Sequence, residues 1–147
     1  MADRSPHILI LEARFYEDIA DELLKGAVAA LERAGATYER VSVPGALELP
    51  AALAMALAAP GRPYSGFVVL GCVIRGETGH YDIVANESAR AVMALATEHR
   101  LALGFGVLTV DNDEQAWARA RVGGLDKGGA AANVALRMVA VKAALSP

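Results

Sequence analysis

The chain has 147 residues, 54% of them hydrophobic and 21% charged, with a formal net charge of −3. That is enough apolar side chain for one packed domain over residues 1–147, and it excludes a disordered chain. The acidic balance excludes a general nucleic-acid or membrane-surface binder, since both need basic patches. The one cysteine, Cys72, excludes an internal disulfide and a cysteine zinc cluster.

Residues 1–6 are polar, without the apolar stretch of a signal peptide, and no uncharged segment reaches transmembrane length, so the expected location is the cytoplasm. Aromatic residues make up only 5%, and the apolar content comes mostly from Ala, Val and Leu. An alanine-rich core buries less area per residue, so subunit contacts are expected to add to stability.

The elements read as follows in chain order. His7–Ala13 (HILILEA) is a short apolar run that suits a buried strand. Residues 17–34 switch to helical spacing, with Ile19, Leu23, Ala27, Val28 and Leu31 on one face and Gly35 as the stop. Thr37–Val43 alternates and ends at the Pro44-Gly45 turn. A second helix is predicted over 47–59, with Pro50 in its first turn and Pro60-Gly61 behind it. Gly66–Ile74 is the strongest strand, apolar throughout. The glycine-rich segment 75–80 leads into a helix over 81–99 that carries Val84, Ser88, Ala91, Val92 and Leu95 on one face. A fourth strand is predicted over 102–110. Asp111, Asn112 and Asp113 are N-cap candidates for a helix over 114–121, and after the Gly123-Gly124 break a last helix spans Lys127–Leu145. Strands alternating with helices predict an α/β fold: a three-layer α/β/α sandwich on a four-stranded parallel sheet, flavodoxin-like in size.

In open sheets of this kind ligands bind beyond the carboxyl ends of the strands, and the unusual residues collect there. Phe15 follows strand one; it either stacks a planar ring or plugs the sheet end as core. Glu48 follows strand two and either binds a hydroxyl or favours a first helical turn. Gly76-Glu77-Thr78-Gly79-His80 opens a helix, where backbone N–H groups attract anions; an ordinary turn with glycines for geometry is the alternative. No G-K-[ST] follows, so it is not a Walker A loop. His80, at a helix start where the dipole favours the neutral imidazole, is either a base or an exposed capping residue. Arg119, Arg121 and Lys127 form a basic cluster that reads as a solvated face or as an anion clamp. Cys72 and Trp117 read as packing residues. Gly104-Phe105-Gly106 lies inside a strand and is not a dinucleotide fingerprint.

With these residues in view, the sequence resembles the 6,7-dimethyl-8-ribityllumazine synthase family of riboflavin biosynthesis. The matching blocks are Ala13-Arg14-Phe15; Val43-Pro44-Gly45-Ala46-Leu47-Glu48-Leu49-Pro50; the run from Gly71 to Asp82; Asn86-Glu87; Glu114-Gln115-Ala116 with Arg119-Ala120; and Lys127-Gly128. They span Ile8 to about Val141. The resemblance implies condensation of 5-amino-6-(D-ribitylamino)uracil with 3,4-dihydroxy-2-butanone 4-phosphate, without metal or organic cofactor. It implies that Phe15 stacks on the pyrimidine, that Ala46, Leu47 and Glu48 line the ribityl pocket, and that the backbone of Cys72, Val73 and Ile74 contacts the pyrimidine. Glu77 and Thr78 would hold the phosphate and His80 would move protons. Phe105 would close the ring-binding side from a neighbouring subunit, with Arg119 pairing with the phosphate and Lys127 supporting that anion site. The implied partners are further copies of the chain and, functionally, riboflavin synthase.

The chain departs from the family pattern G-x-K-x-G-N-K-G, having Leu125-Asp126 in place of the Gly-Asn pair. That turn bears on packing between pentamers, so a pentamer, or a pentamer-based assembly such as a decamer, is expected rather than a full icosahedral shell. Leu47, where an aromatic is common, and Gly79, where a larger residue is common, are expected to loosen ligand binding. A non-catalytic flavin or lumazine binder on the same scaffold is the alternative; it would lack His80 or Arg119, and both are present. A flavodoxin-like electron carrier needs a Ser/Thr/Gly-rich loop after strand one, where this chain has Arg14-Phe15-Tyr16-Glu17.

Overall fold

The computed structural model describes residues 5–61 and 63–147; the polar residues 1–4 of the expected N-terminal lead lie outside them. Four strands, β1 (His7–Ala13), β2 (Thr37–Val43), β3 (Gly66–Ile74) and β4 (Leu103–Val110), form one sheet in the order β2-β1-β3-β4. Every pairing is parallel, in register from His7 opposite Thr37, Ile8 opposite Gly66 and Phe67 opposite Leu103. The helices are α1 (Glu17–Arg33), α2 (Leu49–Ala58), α3 (His80–Glu98), α4 (Asp113–Ala120) and α5 (Lys127–Leu145).

The three layers follow from strand alternation. Ile8 and Ile10 of β1, with Val68 and Leu70 of β3, face α1, α4 and α5. Leu9, Leu11, Phe67 and Val69 face α2 and α3. Ile8, Leu9, Ile10, Leu11 and Val68 are fully buried, each contributing about 1.5–3 kcal/mol relative to exposure. β2 is an edge strand and is largely exposed.

Glycine sets how closely α5 approaches the sheet. A Cβ on Gly104 would overlap the Ala131 carbonyl oxygen, and one on Gly106 would come within 2.9 Å of the Ala131 Cβ and the Leu70 Cδ2. The helix backbone therefore lies directly on β4, and Phe105 between them turns to the other face. By length and composition alone α5 is apolar enough to cross a membrane. It carries Lys127, Arg137 and Lys142, however, and buries Gly128, Ala131, Ala132 and Ala135 in the fold.

One predicted helix is corrected. Residues 47–59 are not one α-helix: Ala46–Glu48 form a single 3-10 turn and α2 starts only at Leu49. Pro50 has no N–H and suits the first α-helical turn, while the Glu48 N–H closes back on the Gly45 carbonyl at 3.1 Å. β1, β2, β3 and α5 keep their predicted bounds, and those of α1, α3, β4 and α4 shift by one residue. The sheet order matters more for function. The order of strand addition reverses between β1 and β3, so α1 leaves the rim towards one face and α3 towards the other. A crevice opens where they diverge.

Candidate active site

The crevice is a cavity of about 390 Å³. Phe15 and Tyr16 come from the link between β1 and α1, residues 45–48 from the turn after β2, Cys72, Val73 and Ile74 from the end of β3, and Gly76, Thr78 and His80 from the loop and first turn of α3. Phe15 is 71% exposed, touching the edge of the Tyr16 ring at a centroid distance of 4.9 Å. A phenyl ring left in water beside an apolar cleft presents a face on which another flat ring can stack. Glu48 folds back on Gly45, whose missing side chain leaves the space: a Cβ there would sit 3.2 Å from the Glu48 Oε1.

At the loop, the His80 backbone N–H donates to the Thr78 hydroxyl at 3.3 Å. Arg75 spans this loop from outside. Its Nε donates to Asp111 at 3.1 Å, its Nη1 lies 3.8 Å from Asp82, and its guanidinium covers the Tyr81 ring at 4.2 Å. The loop's two ends are thereby tied together, although exposed ion pairs of this kind are individually weak. Burial, with a smaller contribution from Asp113, pushes the Cys72 thiol up to about 12. The thiol therefore stays protonated and unreactive at neutral pH. Burial, with Cys72 and Asp113 adding to it, likewise raises Tyr16, which remains a neutral phenol.

A second cavity of about 380 Å³ opens along β4, the other edge of the sheet. Phe105, Arg119 and Lys127 line it, with Ala130 and Val134 of α5. Arg119 is half-buried and donates to the Gln115 carbonyl at 3.1 Å. Lys127 stands on the first turn of α5, which Asp126 caps by accepting from the Gly129 N–H at 3.1 Å. Among the described residues neither cation has a carboxylate within 4 Å. Arg119 in the last turn of α4 and Lys127 in the first turn of α5 thus bring two unneutralised cations to one cavity, a charge arrangement that can receive an anion.

The first cavity thus gathers Phe15, Ala46, Leu47, Glu48, Cys72, Val73, Ile74, Thr78 and His80. Glu77 belongs to the same loop but does not line the cavity. Phe105, Arg119 and Lys127 are brought together elsewhere, and Arg121 separates from them to lie over the Trp117 ring at 5.2 Å. Tyr81 and Val84 also line the first cavity and were not expected in the site. Val84 was within reach of sequence reasoning: it stands four residues after His80 and so on the same side of α3.

The model of the 6,7-dimethyl-8-ribityllumazine synthase family matches residues 5–143. Among relatives, the 6,7-dimethyl-8-ribityllumazine synthase of Agrobacterium fabrum is 62% identical over 140 residues, covering 93% of this chain and 95% of its own. The 6,7-dimethyl-8-ribityllumazine synthase 1 of Rhizobium meliloti is 66% identical over 139 residues, covering 92% and 91%. The corresponding protein of Bartonella tribocorum is 58% identical, covering 95% and 91%. With the parallel sheet and the rim cavity in place, these matches settle the assignment: the chain belongs to the 6,7-dimethyl-8-ribityllumazine synthase family.

Proposed function

We propose that the two cavities are halves of one active site, completed when a neighbouring copy brings its Phe105–Arg119–Lys127 edge to the Phe15–His80 crevice. The observation that carries this reading is their separation: the acid–base histidine and the unneutralised cations line cavities that share no residue. A head-to-tail contact between copies, repeated around a ring, would join each crevice to the next subunit's edge. We accordingly read the assembly as a pentamer or a pentamer-based oligomer such as a decamer, each chain acting as one domain in the cytoplasm.

The chain is a transferase of riboflavin biosynthesis. It condenses 5-amino-6-(D-ribitylamino)uracil with 3,4-dihydroxy-2-butanone 4-phosphate, giving 6,7-dimethyl-8-ribityllumazine, phosphate and two waters. Phe15 stacks on the pyrimidine, the neighbour's Phe105 closes the other side, and the β3 end (Cys72, Val73, Ile74) meets the ring edge. Ala46, Leu47 and Glu48 take the ribityl chain, with Glu48 accepting from a hydroxyl. The 5-amino group attacks the ketone to give an imine with loss of water, and His80 carries protons between nitrogen and oxygen, a role worth roughly 10²–10⁴-fold in rate. The carbon between the imine and the phosphate-bearing carbon then loses its proton, the electron pair expels phosphate, and the enol left behind becomes a ketone. Glu77 and Thr78 hold the phosphate with loop N–H and hydroxyl donors, and the neighbour's Arg119 and Lys127 stabilise the departing anion. Ring closure through the second amine expels the second water. Much of the acceleration comes from holding two substrates in contact. The product is the substrate of riboflavin synthase, the expected functional partner.

The test is turnover with both substrates, following lumazine fluorescence and phosphate release together. Equimolar product and phosphate above the uncatalysed background support the reading. Tight pyrimidine binding without either would contradict it.

A further inference from the structure

The buried charge that this mechanism leaves unused is Glu12. It sits near the end of β1 on the face shared with Ile8 and Ile10, and is 1% exposed. An apolar residue would fill that place without the cost of drying a carboxylate, and a buried ion pair at best roughly breaks even against such a residue. Glu12 is nevertheless fully paired. Its Oε1 accepts from the Arg14 Nη1 at 2.6 Å, and its Oε2 accepts from the Arg40 Nε of β2 at 2.7 Å.

Arg14 extends the network past Phe15. Its Nε donates to Glu17 at 2.8 Å and its Nη2 to Asp21, both on α1, and its backbone N–H donates to the Val43 carbonyl at 3.0 Å. One guanidinium, itself only 17% exposed, thus grips a strand carboxylate before Phe15 and two helix carboxylates after it. Phe15 itself is 71% exposed, and among the described residues its one aromatic contact is the Tyr16 edge. The direction of its ring is therefore set by the backbone of a three-residue link, and the Glu12–Arg14 fork is what spans that link.

We infer that Glu12 and Arg14 are positioning residues: through this fork they hold the Phe15 ring at the angle that stacks on the pyrimidine substrate. The inference rests on the proposed stacking role of Phe15. Lysine in place of Arg14 keeps the charge but loses the planar fork that reaches three carboxylates, and Glu12→Gln removes the charge at constant shape.

The experiment measures kcat and both KM values for Arg14→Lys, Glu12→Gln and Phe15→Ala, and for each of the first two combined with Phe15→Ala, with thermal melting as the check on folding. Arg14→Lys and Glu12→Gln are each expected to raise the pyrimidine KM about threefold to thirtyfold, below the full effect of removing an aromatic platform. The phosphate substrate's KM should stay nearly unchanged, and kcat should fall by less than the pyrimidine KM rises. Combined with Phe15→Ala, neither should raise the pyrimidine KM further, because the ring they position is gone. Additive effects, or equal rises for both substrates, would mean general structural support and overturn the inference. If Phe15→Ala alone leaves the pyrimidine KM unchanged, the stacking role itself fails, and this inference with it. If Phe15→Ala raises it but the fork variants do not, only the positioning role fails.

Discussion

Replacing Arg119 with alanine separates a binding role from a structural one. Within the protomer its guanidinium donates a 3.1 Å hydrogen bond to the carbonyl of Gln115, on its own helix. Losing that bond, and a cation in the last turn of α4, costs about 0.3–1 kcal/mol of stability, and alanine recovers part of it through helix propensity. The substrate side is larger. A charge-assisted hydrogen bond to phosphate is worth about 1.5–3 kcal/mol, and at 1.4 kcal/mol per decade its loss weakens binding by roughly tenfold to a hundredfold or slightly more. The expected outcome is a rise of that size in the KM for the butanone phosphate and in the inhibition constant of inorganic phosphate. The pyrimidine KM should change by no more than about twofold, since it carries no phosphate for Arg119 to meet. Arg119→Lys should fall between, keeping the charge but not the fork. Steady-state kinetics with each substrate varied in turn, and phosphate as inhibitor, make the measurement. Equal rises for both substrates, or no change in phosphate inhibition with the assembly intact, would refute the reasoning.

Phe15→Ala should raise the pyrimidine KM by about 5- to 150-fold, the range of an aromatic platform under one flat ring. A melting temperature essentially unchanged, as expected for a side chain already 71% exposed, would show that packing is not the cause. Gly104→Ala should destabilise the fold by about 1–3 kcal/mol or more in urea titration, because its methyl group meets the Ala131 backbone rather than a side chain that can move. Wild-type stability there would mean that α5 does not lie on β4 as described. The Cys72 thiol should resist aromatic disulfide reagents in the native protein near pH 8 and react promptly once the chain is unfolded. Its linkage has a definite sign. In the unfolded chain it loses its proton around pH 9.0, and in the fold only at about 12, so the native state binds more protons between the two. Its contribution is flat below pH 9 and is lost as pH rises towards 12; replacing Cys72 with alanine should flatten that decline.

How far the sequence reaches depends on how local each cause is. β1 and β3 are legible at their observed bounds as short apolar runs, and β2 as an alternating run that ends at Pro44-Gly45. The start of α2 is less so: Pro50 permits an α-helical first turn but does not say whether the residues before it join as helix or as a tighter turn, and that decides how Ala46, Leu47 and Glu48 meet the crevice. The Glu12 network is hidden for a different reason. A charged residue inside an apolar strand shows its pairing only when β2 is laid beside β1 and brings Arg40 alongside. Arg119 and Lys127 are recognisable as cations in sequence. Their meeting depends on the chain reversing after α4, where the Leu125 N–H donates to the Ala118 carbonyl at 3.1 Å and the Asp126 N–H to that of Arg121 at 3.0 Å. Arg121, equally basic in sequence, is lost to the cluster because it finds the Trp117 ring instead.

The claim that matters most is that one catalytic site is built from two copies, and subunit mixing tests it directly. His80→Ala removes the proton carrier from the crevice half, and Arg119→Ala removes the phosphate cation from the edge half. Each variant alone should be strongly impaired. Co-assembled at random in equal amounts, head-to-tail neighbours would pair an intact crevice with an intact edge at about one interface in four. The account therefore predicts that mixed assemblies recover activity towards a quarter of the wild-type value. Activity equal to the average of the two parents, in assemblies shown to contain both variants, would contradict it and return the whole site to a single chain.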